Sequence, residues 1–204
     1  MIHTASPFVV SVKDNKRDLL DPAIKGTANI LSATKQFAPN VKRLVITSSF
    51  ASILDLSNGN RPRYTYTDED WNPATYEEAL KSDDGAFVYC ASKKLAEKTG
   101  WNFIKSEKPN FSLATICPPM VYGPAIQPIE SLNHLNESTA DIYRFMNGSA
   151  DKVQLNGFWA YVDLRDVALE HVRAYEHPPR REILRHRRQL HKQAGGVGYY
   201  PGYP

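Results

Sequence analysis

Apolar positions alternate between helical and strand spacing along the first 177 residues. Apolar side chains recur every three or four residues in the first predicted helix, at Leu20, Ile24, Ala28 and Leu31. Further helices are predicted over residues 86–105, 137–147 and 164–176. Short β-branched runs predict strands over residues 1–10, 41–47, 111–116 and 158–162. Because strand and helix alternate, we expect an α/β fold with a parallel sheet.

One long stretch lacks either periodicity. Residues 55–85 contain Asn58 followed by Gly59, then Pro62, Pro73 and a cluster of acidic residues. Such turn-forming residues predict that this stretch is mostly loop.

The charge of the chain divides it into two parts. The 204 residues carry 25 Lys and Arg against 22 Asp and Glu, a net charge of +3. Residues 178–204 hold six basic residues and one acidic residue, so they contribute +5 and residues 1–177 contribute −2. We expect a folded domain over 1–177 and a basic, disordered tail over 178–204, which is poor in core-forming residues. The near-neutral domain does not have the basic, aromatic surface typical of nucleic-acid binding.

The two cysteines, Cys90 and Cys117, form no CxxC pair, so we expect neither a zinc ribbon nor a disulfide scaffold. No apolar run approaches the roughly 20 residues needed to span a bilayer. The first residues lack the charged and apolar regions of a signal peptide. A cytoplasmic protein without a metal site is the expectation.

Tyr89 and Lys93 stand four residues apart, which places them on one face of the second long predicted helix. An ammonium beside a phenol favours the phenolate and lowers the tyrosine pKa. The pair can therefore exchange a proton with an alcohol or carbonyl oxygen. However, a chain with 11 tyrosines and many lysines contains such a pair by chance about as often as not, so the spacing alone is weak.

Two strand ends add polar groups to this pair. Thr47, Ser48 and Ser49 follow the strand at 41–47, and ligands bind beyond the carboxyl ends of parallel strands. Residues 118–124 follow the strand at 111–116 and offer backbone groups that no ladder uses. Serines also end strands for purely local reasons, and the prolines at 118 and 119 are typical of a plain turn.

Seven motifs follow one another along the chain: His-Thr-Ala-Ser-Pro-Phe at 3–8, the strand ending in Ser-Ser at 48–49, Tyr-x-x-x-Lys at 89–93, Leu-Ala-Glu at 95–97, Trp101, Pro-x-x-Val-Tyr-Gly-Pro at 118–124 and Tyr-Val-Asp-x-x-Asp-Val at 161–167. Taken in this order, they resemble an extended short-chain dehydrogenase/reductase of the NAD-dependent epimerase/dehydratase family. The resemblance is strongest to the branch of dihydroflavonol, methylglyoxal and aldehyde/ketone reductases, and it covers about residues 1–177.

The resemblance implies a Rossmann-type doubly wound sheet and NADP-dependent reduction of an aldehyde or ketone, with NAD as the alternative cofactor. It implies that Tyr89 is the acid that protonates the carbonyl oxygen, and that Lys93 holds the nicotinamide ribose and lowers the tyrosine pKa. Ser49 aligns with the catalytic serine, and Ser48 is its nearest competitor. The implied cofactor-binding residues are Ala5, Ser6, Pro7, Thr47, Tyr89, Lys93, Pro118 and Val121. Trp71, Met120 and Tyr122 are the implied substrate wall. Asp163 and Asp166 are expected to cap a helix.

The sequence departs from this family at both ends. Family members begin with a strand, a glycine-rich turn and a helix that bind the pyrophosphate. Here the only glycine cluster lies at 195–198 and leads into Tyr-Tyr-Pro-Gly, so we interpret it as unrelated. The chain is expected to be a shortened member that lacks the first βαβ layers, and to self-associate through exposed sheet edges.

Three other functions remain open. One is a catalytically silent remnant of such a reductase, which the absent glycine-rich turn favours. Another is an epimerase or isomerase that uses the same three residues. The last is a protein that binds an acidic partner through the basic tail.

Overall fold

The computed structural model alternates strands and helices along the chain. The strands are β1 (Ile2–His3), β2 (Arg43–Thr47), β3 (Ser112–Cys117), β4 (Met120–Tyr122), β5 (Tyr161–Asp163) and β6 (Arg181–Ile183). The α-helices are α1 (Asp21–Phe37), α2 (Tyr76–Lys81), α3 (Gly85–Glu107), α4 (Glu137–Tyr143) and α5 (Leu164–Glu176). The structure describes residues 1–6, 8, 12–59, 61, 63–124, 126, 128–129, 131–133, 135–148, 158, 160–177 and, as backbone, 181–183.

Four of the strands form a parallel sheet in the order β1-β2-β3-β6. A second, two-stranded parallel sheet joins β4 to β5, with Val121 opposite Val162. Because the strands of the larger sheet run in one direction, their carboxyl ends meet at one edge. The expected α/β class with a parallel sheet is confirmed. In sheets of this kind, ligands bind at the carboxyl edge.

Both faces of the larger sheet are covered, which explains why the three central residues of β2 are all apolar. Leu44 and Ile46 pack on one face in a core with Leu31 of α1. Val45 packs on the other face, together with Ala174 of α5. Helix α3 packs beside α1 on the first face. The sheet therefore holds α3 against the carboxyl ends of its central strands.

Two elements differ from the sequence-based expectation. Helix α2 lies inside the stretch predicted to be loop, and Thr75 begins it with a capping box in which Thr75 and Glu78 bond each other's backbone N–H. That motif is present in the sequence, but the surrounding prolines and acidic residues obscured it. Strand β4 follows directly after two prolines, where a break was expected, because β5 supplies its hydrogen-bonding partner from distant sequence.

The tail also contributes to the sheet. Residues 181–183 form β6 and pair in parallel with β3, so for them the expectation of a disordered extension is wrong. An edge strand of three residues needs only backbone pairing, and composition does not reveal such pairing. Residues 178–180 and 184–204, including the glycines at 195–198, lie outside the described residues.

No helix among the described residues is long and apolar enough to cross a membrane.

Gly100 lies where α3 packs closely against the core. A Cβ there would lie 3.2 Å from Leu113 Cδ2 and 3.7 Å from Thr27 Cγ2, whereas a Cβ at Gly26 of α1 would meet nothing within 4 Å. We expect Gly100→Val to destabilise the protein by about 1–3 kcal/mol through overpacking. The control Gly26→Val should stay within about 0.5 kcal/mol of the wild type. Urea unfolding followed by circular dichroism measures both, and equal effects would contradict the packing described.

Candidate active site

The serines after β2 lie at the carboxyl edge of the sheet. Ser48 continues the ladder beyond the strand, since its N–H donates to the carbonyl of Ile116 at 2.7 Å. Ser49 begins a 3-10 turn over Phe50–Ser52, and its Oγ accepts the N–H of Ala51 at 3.1 Å. The N–H of Phe50 donates to the carbonyl of Pro118 at 2.8 Å. The chain after β2 is thus tied to the chain after β3.

Helix α3 brings three ionisable or hydroxyl-bearing side chains to this edge. Asp84 caps the helix by accepting the N–H groups of Ala86 and Phe87. Tyr89, Lys93 and Glu97 then follow at four-residue intervals and share one face of the helix. Lys93 and Glu97 are only 7% and 4% exposed, an uncommon degree of burial for charged residues.

Tyr89 meets Ser49 across the gap between α3 and the strand end. Burial raises the pKa of Tyr89 well above its usual value, and the nearby Ser49 hydroxyl, which favours the phenolate, opposes this only in part. Phe8 covers the phenol ring edge-on at a centroid distance of 5.0 Å. The expectation that Lys93 lowers the pKa of Tyr89 is therefore wrong for this structure. Tyr89 holds its proton throughout the physiological range.

Lys93 lies beside a cavity at the same edge. Its Nζ is 5.3 Å from the centre of the Tyr89 ring and donates to Ser6 Oγ at 2.5 Å. Ala5, Ser6, Thr47 and Ser48 are among the other residues that line the cavity. Burial lowers the pKa of Lys93 to about 8, so this ammonium is largely charged at pH 7 and loses its proton as the pH rises through about 8.

The structure distinguishes the two serines. The Ser48 hydroxyl donates to Glu97 Oε2 at 2.5 Å, whereas Ser49 contacts the Tyr89 phenol. Ser49 is therefore the serine adjacent to the tyrosine, as the resemblance implied. Its catalytic role stays a prediction.

The residues expected to bind cofactor have mixed surroundings. Ala5 and Ser6 line the cavity, and Pro7 lies outside the described residues. Thr47 also lines it, but its hydroxyl is 2.6 Å from His171 Nε2 of α5, on the opposite side of the sheet from α3. Pro118 is buried beside the turn that follows Ser49, and Val121 lies in β4.

The three residues expected to form the substrate wall are dispersed. Trp71 lies under Lys98, whose Nζ is 5.2 Å from its ring, more than two helical turns beyond Tyr89. Tyr122 donates to Asp141, and burial together with this bond raises its pKa. Met120 precedes it in β4 and pairs with Tyr161. Their substrate roles stay predictions.

Other expectations concerned structural residues. Asp163 caps α5 by accepting the N–H of Arg165 at 2.8 Å, and Asp166 lies in the first turn. Cys90 and Cys117 are buried, and burial raises the pKa of Cys90 to about 11, so it is a protonated thiol at neutral pH. Within the described residues, no group of three or more side chains could hold a metal ion.

Glu97 is the residue that sequence reasoning missed. It entered the resemblance only as part of a motif, although its spacing continues that of Tyr89 and Lys93. Its carboxylate accepts hydrogen bonds from β3, from α3 itself and from the chain that follows β2. The same four-residue spacing could have indicated it, because it places a third polar group on a buried face.

Comparison with known proteins assigns the chain to a family. The model of the 3-beta hydroxysteroid dehydrogenase/isomerase family matches residues 1–178, and the chain belongs to that family. An NADPH-dependent methylglyoxal reductase of Saccharomyces cerevisiae, GRE2, is 37% identical over 179 residues, covering 86% of this chain and 52% of its own length. A cinnamoyl-CoA reductase of Medicago truncatula is 38% identical over 178 residues, covering 86% of this chain and 49% of its own.

A solved structure agrees with these relatives. The yeast methylglyoxal/isovaleraldehyde reductase Gre2 complexed with NADPH superimposes with a TM-score of 0.81 at 36% identity, covering 90% of this chain and 55% of that one. The resemblance to the extended short-chain reductases is thus confirmed, and the fold is of the Rossmann type. The chain spans about half the length of the curated relatives it matches.

The buried lysine has a measurable cost in stability. A pKa lowered from 10.5 to about 8 corresponds to a penalty of about 3 kcal/mol on the folded, charged form. Below pH 8 this penalty is complete. Between pH 8 and 10.5 the unfolded lysine binds a proton that the folded one has released, so stability rises with pH.

We therefore expect Lys93→Met to stabilise the protein at pH 7 by about 2 kcal/mol, after allowing about 1 kcal/mol for the lost bond to Ser6. The gain over wild type should disappear by about pH 10.5. Denaturant unfolding of both proteins at pH 7 and pH 10.5 tests this. A variant that is equally destabilised at both pH values would contradict the burial penalty.

Proposed function

We propose that this chain carries the catalytic half of an NADPH-dependent reductase that acts on an aldehyde or ketone. The observation that carries the proposal is the meeting of Ser49, Tyr89 and Lys93 at the carboxyl edge of the parallel sheet. A relative named for NADPH-dependent methylglyoxal reduction supports the substrate class and the cofactor.

The described residues suit one end of the cofactor. Lys93 and Ser6 offer an ammonium and a hydroxyl in one cavity, and these groups match the hydroxyls of a nicotinamide ribose. Pyrophosphate instead needs a helix N-terminus preceded by glycines. Each described α-helix has an acidic residue at its cap or in its first turn, which repels phosphate: Asp21, Glu77, Asp84, Glu137 and Asp163. The nicotinamide end is therefore the part that these residues fit.

NADPH, when bound, supplies the hydride. Tyr89 gives its phenolic proton to the carbonyl oxygen that becomes the alcohol. Its raised pKa means that this proton is in place at neutral pH, which is the state that reduction requires. Ser49 donates a hydrogen bond that steadies the phenolate left behind, and charged Lys93 adds an attractive field.

The remaining assignments are part of the same proposal. The substrate is a small carbonyl compound, the protein works in the cytoplasm, and β1 supplies an edge for self-association. An epimerase or isomerase would use the same three residues, and a silent remnant would keep them without activity. The relatives named as NADPH-dependent methylglyoxal reductases favour the reductase.

Replacing Tyr89 tests the proposed acid. Charged-group contacts to phosphate contribute about 1.5–3 kcal/mol each. Because these 204 residues do not include the glycine-rich turn that makes such contacts, we expect them to bind NADPH too weakly to measure at micromolar concentration. Joining it to the N-terminal segment of the S. cerevisiae relative should restore NADPH oxidation with methylglyoxal. In that fusion, Tyr89→Phe should lower kcat by about 10²–10⁴ while NADPH still binds.

Two outcomes would contradict this account. If the fusion binds NADPH and Tyr89→Phe retains full activity, Tyr89 is not the acid. If the 204-residue chain alone reduces methylglyoxal, and Tyr89→Phe stops it, the cofactor is held by this chain without the glycine-rich turn.

The pH profile of the fusion tests Lys93. Its ammonium is present below about pH 8 and absent above it, so kcat should fall as the pH rises through about 8. Lys93→Met should have low activity with no such fall. A wild-type profile that stays flat to pH 9.5 would show that the charge on Lys93 is not needed.

A further inference from the structure

Glu97 gathers hydrogen-bond donors from three segments of the chain. Its carboxylate is almost completely buried. The described donors to Oε2 are Ser48 Oγ at 2.5 Å, Ser52 Oγ at 2.6 Å and Cys117 Sγ at 3.5 Å, and those to Oε1 are Thr115 Oγ1 at 3.0 Å and Trp101 Nε1 at 3.3 Å. A buried carboxylate requires hydrogen-bond donors, but this requirement does not determine which segments of the chain supply them.

The two shortest bonds bracket Ser49. Ser48 precedes it, and Ser52 lies three residues beyond it, on the far side of the 3-10 turn. The Ser52 hydroxyl is also 2.8 Å from the carbonyl of Ser49. Both hydroxyls meet at one atom, Oε2 of Glu97, so the backbone on either side of Ser49 is held at a single point.

The same helix carries the partner of Ser49. Glu97 lies eight residues after Tyr89, which is about 12 Å along the axis on the same face of α3. Since a helix is rigid over two turns, it fixes the distance between the anchor of the loop and the phenol that the loop must reach. An apolar side chain in place of Glu97 would stay buried, but it would release the segment from Ser48 to Ser52 that the carboxylate holds.

We propose that Glu97 is a positioning residue, which holds Ser49 against the Tyr89 phenol through Ser48 and Ser52. The inference rests on the proposed function for the importance of the Ser49–Tyr89 contact. The effect of Glu97 on the position of Ser49 can be measured in the 204-residue chain without any cofactor.

The test observes the phenol directly. In the 204-residue protein, tyrosines are isotope-labelled at Cζ, and the Tyr89 resonance is identified by its loss in Tyr89→Phe. Ser49→Ala should shift this resonance because it removes the hydrogen bond to the phenol. Glu97→Met, Ser48→Ala and Ser52→Ala should each shift it in the same direction. In a Ser49→Ala background, Glu97→Met should produce no further shift.

Thr115→Val is the matched control. It preserves the shape of the side chain but removes the hydrogen bond from Thr115 to Oε1 of the same carboxylate. Thr115 lies in β3 and not in the segment on either side of Ser49. The Tyr89 resonance should stay in place in this variant, whereas a merely structural role for Glu97 predicts that both oxygens matter equally. Glu97→Gln should retain most of the wild-type position, since its amide can still bond both serines.

Each result decides the matter. If the resonance moves in Thr115→Val as far as in Ser48→Ala and Ser52→Ala, or moves in neither serine variant, the proposal is wrong. If Glu97→Met does not fold, the serine variants decide alone. If Ser49→Ala leaves the resonance unmoved, the Ser49–Tyr89 contact is absent and the positioning role fails with it. Because the resonance is measured in the 204-residue protein, an inactive fusion would contradict the proposed function but not the positioning role of Glu97.

Discussion

The arrangement depends on one constraint, which is that α3 buries a polar face against the carboxyl ends of β2 and β3. Tyr89, Lys93 and Glu97 occupy that face at four-residue spacing. Polar groups are costly to bury unless they are bonded, so each must find partners in the chain that leaves the strands. Ser49 lies beside the Tyr89 phenol, Ser6 accepts from Lys93, and Ser48 and Ser52 donate to Glu97. The serine-rich strand end and the helix thus require each other.

This packing determines the protonation states of Tyr89 and Lys93. Burial raises the pKa of Tyr89 and lowers the pKa of Lys93 to about 8, so at neutral pH the phenol is protonated and the ammonium is still largely charged. Perturbed ionisable groups in a cleft are typical of functional sites, although structural networks also produce them.

Much of this arrangement could be predicted from local pattern. The β-branched run at 41–47 and the long helix near 86–105 have strong periodicity, and β2 and α3 formed there. Helix α2 was missed because a capping box competed with proline and acidic signals, and β6 because its pairing with β3 comes from distant sequence. The choice of Ser49 over Ser48 also depends on tertiary structure, since adjacent residues point in different directions at a strand end. Trp71 was assigned from its type alone, and no local pattern fixes its position under Lys98 of α3.

A double-mutant cycle between Ser49→Ala and Tyr89→Phe tests the central claim most directly, because it measures the contact at which strand end and helix meet. Free energies of unfolding of the wild type, both single variants and the double variant yield the coupling between the two hydroxyls. The account predicts a coupling of about 0.5–1.5 kcal/mol, the usual contribution of a buried hydrogen bond. Strictly additive effects, with no coupling beyond error, would contradict the site described.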